Sequence, residues 1–151
     1  MHSIPPSLGA LAATVLLAAS PAVQAQAHLA KSGPCSLRSS TVESRSIAAL
    51  AADRQGISLA ADLAIVNVTV TCRGGHGNST VPADVDVTRA DAVGTVEHVD
   101  MHEDRQNGYV SYYGTYPHTP GQTVRIAVSA TPLHMQRQMA IEYRHRFAIR
   151  P

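Results

Sequence analysis

The stretch Ala64–Cys72, "AIVNVTVTC", constrains the fold more than any other part of the chain. Val66, Val68, Val70 and Cys72 share one face of it, and Asn67, Thr69 and Thr71 share the other. A period of two puts successive side chains on opposite sides of a β-strand, so this segment is a strand with one face in a core. A helix would instead space its apolar positions three and four apart. The same phase turns the sulfur of Cys72 inward, beside the valines.

The only other cysteine is Cys35. In an oxidising compartment an even pair reads as one disulfide; two buried free thiols are the alternative. The amino terminus bears on the compartment. In "MHSIPPSLGALAATVLLAASPAVQAQA" the apolar run Leu8–Ala19 has the length of a signal-peptide core and is too short to span a bilayer. Small residues then offer cleavage after Ala25 or after Ala27. No Lys or Arg precedes the apolar run, and no cysteine stands immediately after either cleavage site, so a lipoprotein is not indicated. The expected organisation is a signal peptide over residues 1–25 (or 1–27) and one domain over 26–151. The expected location is secreted or periplasmic, with Cys35 and Cys72 bonded.

Further strands follow the same period. "ADVDVT" turns Val85 and Val87 inward. "TVRIAVSAT" does so with Val124, Ile126, Val128 and Ala130. In the last strand Met139, Ile141, Tyr143, His145, Phe147 and Ile149 share one face, and Glu142, Arg144, Arg146 and Arg150 share the other. "RGGHGNSTVP" is rich in Gly, Asn and Pro and reads as a loop. "SRSIAALAADRQG" reads either as a short helix capped by Ser44 or Ser46 and stopped by Gly56, or as strand–turn–strand. Asn107-Gly108 lies between two strand-like runs. A two-residue type I′ hairpin turn needs positive φ at both central residues, which this dipeptide tolerates best. That turn sets Tyr112 opposite Glu103, Gly114 opposite Met101 and Tyr116 opposite Val99. His98, Asp100, His102 and Asp104 then face solvent. About six to eight turn-punctuated strands with one disulfide predict an all-β, immunoglobulin-like antiparallel sandwich.

Histidine is the one residue type that suggests chemistry, with eight copies in 151 residues. His98, Asp100 and His102 alternate along one strand face. Positions two apart on a strand are roughly 6.6 Å apart, so the two histidines are about 13 Å apart. A first-row metal holds its nitrogens at about 2.1 Å. Asp100 with either histidine supplies two ligands, and a third has to come from elsewhere, such as His118 or His134. His28 becomes the first residue if cleavage follows Ala27, and its amine and imidazole then suit copper. Secreted immunoglobulin-like copper carriers of the periplasm resemble that arrangement. His134-Met135 and Met139 combine donors that suit Cu(I), although Met139 is in core phase. His145, between Tyr143 and Phe147, reads as a core histidine.

Other classes find little footing. A net charge of +1 gives no electrostatic footprint for nucleic acid. The chain has no G-x-S-x-G elbow and no H-E-x-x-H pair, and "GGHGN" lacks the lysine and helix of a phosphate loop. Asn67 and Asn78 head glycosylation sequons, which matter only in a glycosylating source.

Cys35 in "GPCSL" soon after the signal, and a strand "VNVTVTC" closing on Cys72, resemble the secreted immunoglobulin-like subunits of the pilin and spore-coat-protein-U type. The resemblance covers roughly residues 33 to 73. It implies a sandwich that lacks its last strand and takes one from a neighbour or chaperone. The carboxy-terminal "AIEYRHRFAIRP" departs from that pattern. The functional expectation is therefore a non-catalytic structural, adhesive or binding module without a cofactor, pairing with another protein or subunit, with strand addition as one route, and with no membrane span. The alternative is periplasmic copper or zinc binding through His28, His98, Asp100 and His102.

Overall fold

The computed structural model describes residues 27–46 and 62–149, together with Asp53 and Gly56. The expected signal peptide, and most of the segment from Ser44 to Gly56, lie outside the described residues. Ten strands are present among the described residues. They are β1 (His28–Ser32), β2 (Cys35–Glu43), β3 (Leu63–Gly74), β4 (Gly77–Thr80), β5 (Ala83–Ala90), β6 (Val96–His98), β7 (His102–Gln106), β8 (Tyr109–Pro117), β9 (Thr123–Pro132) and β10 (Met139–Arg146). Six form one antiparallel sheet in the order β1-β2-β3-β8-β7, with β4 also on β3; four form a second, in the order β10-β9-β5-β6. The two sheets enclose one core, so the chain is an all-β, immunoglobulin-like antiparallel sandwich with more strands than expected.

The core grows from β3. Val66, Val68 and Val70 are fully buried, as are Val87 and Val124 from the second sheet. Each is worth about 1.5–3 kcal/mol when fully buried. Cys35 stands directly opposite Cys72 in the β2–β3 ladder, and the two are bonded. The disulfide therefore ties adjacent strands at one end of the core. In the chain-entropy account, closing a loop of this length is worth roughly 4 kcal/mol. The inward phases expected for β5, β9 and β10 are present within the strands, with Val87, Ile126, Val128 and Tyr143 buried, but β10 ends at Arg146, and Ile149, expected on the same inner face, is exposed.

The Asn107-Gly108 turn forms as expected, with φ of 52° and 80°. Glu103 pairs with Tyr112, and His102 with Tyr113. The strand does not continue back to His98, however. β7 begins at His102, while His98 ends β6 in the other sheet, opposite Thr88. Residues 99–101 cross between the sheets, and the expected ladder pairs of Gly114 with Met101 and Tyr116 with Val99 do not form. Val99 stays buried and donates its N–H to the Val87 carbonyl at 2.9 Å. The crossing keeps the alternation of inward and outward residues, so the period alone does not reveal it.

Two elements were not expected. The Gly-rich stretch after Cys72 is a tight hairpin, because Gly74 pairs with Gly77 and lets β4 fold back on β3. Before Cys35, β1 forms a second hairpin with β2 around Gly33, whose φ is 56°.

The crossing explains the glycine at 114. A Cβ there would lie 2.6 Å from the Asp100 carbonyl oxygen and 2.7 Å from Met101 Sδ and from Val99 Cγ1. Gly114→Ala is expected to destabilise the fold by about 1–3 kcal/mol, the usual range for overpacking. Gly75→Ala, with nothing within 4 Å of its added Cβ, is expected to leave the urea midpoint nearly unchanged. Equal midpoints for both variants would contradict the close approach.

Candidate functional site

The histidines picked out in the sequence fall in three places. His98 Nδ1 lies 3.0 Å from Asp86 Oδ1 on the exposed side of the second sheet. His102 Nε2 lies 3.8 Å from Asp100 Oδ2 at the far edge of the first sheet, and its ring leans on Tyr113 at 5.7 Å. His28 sits on β1, at the opposite edge of that sheet, with its ring stacked 3.9 Å from Tyr143. Four strand spacings separate β1 from β7, roughly 19 Å. The structure thus brings Asp100 to His102, gives His98 a different carboxylate, and leaves His28 apart from all of them.

Aromatic and histidine side chains collect instead where β1 and β2 meet β10. The Tyr143 hydroxyl lies 3.0 Å from Ser39 Oγ and 2.9 Å from Thr41 Oγ1, all buried between the sheets. Burial pushes the Tyr143 and Tyr116 hydroxyls above the usual phenol range. Next to them His118 stacks on Phe147 at 3.8 Å, and His145 meets the same ring edge-on at 4.7 Å. His118 is buried, and neither ring nitrogen has a hydrogen-bond partner among the described residues. His145 is held below the ordinary imidazole range, first by burial, with His118 and His28 adding repulsion and Glu43 opposing it. No local sequence signal groups His28, His118 and His145, because they come from opposite ends of the chain.

A third cluster sits at the other end of β2. Cys35 Sγ is 3.3 Å from Met135 Sδ. The ligand atoms of Cys35, Cys72 and His134 lie within 4.8 Å of one another, the one such group of three among the described residues. The expected pairing of His134 with Met135 as soft donors is therefore joined by the two sulfurs, and Met139 is buried in the core.

Two outcomes follow for the seam at β10. Tyr143→Phe leaves two buried hydroxyls without their partner, and a loss of about 1–3 kcal/mol is expected. Equal denaturation midpoints in wild type and variant would contradict it. For His145 the folded value is depressed, so its contribution to stability is fully present above about pH 6.5 and declines as the pH falls from there through the folded value. Between pH 7.5 and 5.5 wild type is expected to lose more stability than His145→Gln; parallel losses would show that His145 is not the group responsible.

The outer face of the four-stranded sheet is the remaining feature. Asp86, Ser129 and Ala140 lie side by side across β5, β9 and β10, and Thr88, Ala127 and Glu142 form the next row. Small side chains at the middle of both rows leave a shallow depression of about 370 Å³. Glu142 lines it and lies 3.8 Å from Arg125.

No curated protein matches the chain. A crystal structure of a DUF4426 family protein from Pseudomonas aeruginosa is similar, with a TM-score of 0.69 at 13% identity, over 83% of this chain and 97% of that one. At that identity the likeness is one of fold. The family model described as a domain of unknown function, DUF4426, matches residues 30–149, and the chain belongs to that family.

Proposed function

We propose that the protein is a non-catalytic secreted or periplasmic binding module, and that an extended segment of another protein adds to it along β10. The compartment is supported by the Cys35–Cys72 disulfide, because such bonds persist where the surroundings oxidise thiols. Among the described residues, no helix is long and apolar enough to cross a membrane.

The observation that carries the reading is the edge formed by β10. It runs for eight residues and, among the described residues, hydrogen-bonds to β9 alone. An edge strand presents a row of backbone donors and acceptors to another chain. The other edges are poorer templates. β1 has five residues and β6 three. β7 has five, "HEDRQ", with Arg105 bound to Glu103. β10 instead lines one side of the small-residue depression on the outer face, which leaves room beside the edge for side chains of an added strand. Main-chain pairing of this kind gives affinity, and the pockets beside it give selectivity. Copper or zinc held by His28, His98, Asp100 and His102 has less support, because these residues lie on three separate edges and faces.

The reading is tested with a photo-crosslinking side chain placed at Ala140 and, as control, at Asn67 on the outer face of the other sheet, in cells that make the mature protein. One discrete extracytoplasmic protein attached from position 140 and absent from position 67 is expected. No adduct from either position, or the same adducts from both, would overturn it.

A further inference from the structure

The disulfide end of the sandwich gathers four soft or borderline donors from three separate elements. Cys35 comes from β2, Cys72 from β3, and His134 and Met135 from the turn between β9 and β10. Cys35 and Cys72 are both buried, Met135 is half-buried, and His134 is exposed. The Cys35 Sγ to Met135 Sδ distance is 3.3 Å, and the two cysteines and His134 lie within 4.8 Å of one another. Two thiolates, a thioether and an imidazole are the donors that select Cu(I) over hard cations. A disulfide is no such ligand, since metal binding requires thiolates. We infer that Cys35, Cys72, His134 and Met135 form a redox-gated Cu(I) site, closed while the disulfide is intact and opened when it is reduced. This goes beyond the β10 reading and does not depend on it.

The geometry needs only local adjustment. A tetrahedral ion with sulfur at about 2.3 Å and nitrogen at about 2.0 Å sets its ligand atoms roughly 3.5–3.8 Å apart. The Cα atoms of Cys35 and Cys72 are 4.0 Å apart in the bonded form, and side chains directly opposite in an ordinary ladder have Cβ atoms about 4.5–5.5 Å apart. Rotation of the two cysteine side chains therefore spreads the sulfurs to ligand spacing without breaking the β2–β3 pairing. The exposed His134 approaches from the turn, and Met135 is already in contact.

The chemistry balances with a dithiol reductant as co-reactant. One of its thiolates attacks a disulfide sulfur, forming a mixed disulfide, and its second thiol displaces the other. Two electrons pass to the protein. The reductant leaves as a disulfide, and its two protons end on Cys35 and Cys72. Cu(I) then displaces both thiol protons to water and keeps its oxidation state. A disulfide-bearing oxidant then takes the two electrons from the thiolates and two protons from water, leaves as a dithiol, returns the cysteines to the bonded form and releases the ion as Cu(I).

The probe is Cu(I) itself, titrated anaerobically against a chromophoric Cu(I) chelator. The full mature protein is compared with its disulfide intact and after reduction with the reductant removed. One Cu(I) per chain is expected in the reduced protein, with at least 100-fold weaker binding in the oxidised protein. His134→Ala and Met135→Leu preserve both cysteines; the first is expected to weaken binding at least tenfold, the second less. X-ray absorption of the loaded protein is expected to show sulfur ligands and one nitrogen. Equal affinity in both redox states, or affinity untouched by His134→Ala, would overturn the site. If reduction unfolds the chain, Cu(I) is expected to restore the native circular dichroism spectrum, because binding to a folded site supplies folding energy. Failure to restore it would overturn the site as well.

Discussion

The pairing of β2 with β3 is the contact on which the rest of the sandwich rests. β3 is the longest strand, and β2, β4 and β8 all hydrogen-bond to it. Its inward valines fill the centre of the core. The disulfide joins β2 to β3 at opposed positions, so it fixes the register rather than bridging a gap. A shift of one residue would turn Val66, Val68 and Val70 toward water, and a covalent bond at Cys72 forbids that shift.

Burial phase was legible in the sequence; pairing was only partly so. β3, β9 and β10 carry unbroken alternation, so their inner faces could be read directly. The turn at Asn107-Gly108 could be read because only a few residue types accept positive φ. The crossing at residues 99–101 could not. His98 and Asp100 are exposed and Val99 buried, as on a continuous strand. The alternation survives the change of sheet, and nothing local states which neighbour supplies the hydrogen bonds. β4 was missed for a related reason: glycines that mark a loop also permit the tightest hairpin. β1 is a short edge strand with little apolar signal.

Candidate ligands follow the same division. Spacing along one strand drew attention to His98, Asp100 and His102, yet the change of sheet sends His98 to Asp86. His134 and Met135 were visible as a soft pair. Their meeting with Cys35 spans 100 residues and depends on the turn after β9 folding over the end of β2. Donors on one strand diverge by its rise, whereas donors from three elements converge on a point. Tertiary clustering of this kind is set by topology, which periodicity does not encode.

The side of the sandwich at β1 and β10 is closed by rings rather than by a ladder. His28 covers Tyr143, whose hydroxyl is held by Ser39 and Thr41, and His118 and Tyr116 pack on Phe147. These contacts run across the gap between the sheets and bury Tyr143 and Phe147 almost completely. Among the described residues no strand hydrogen-bonds to the outer edge of β10, although β1 packs close beside it. A sandwich that lacks a strand exposes core positions for a partner to fill. Here the inner face is already sealed by the chain's own side chains, so a strand arriving at β10 would extend the sheet through backbone hydrogen bonds and would not complete the core. Association of that kind draws on pairing and edge contacts more than on apolar burial, which places it among reversible contacts rather than obligate assembly.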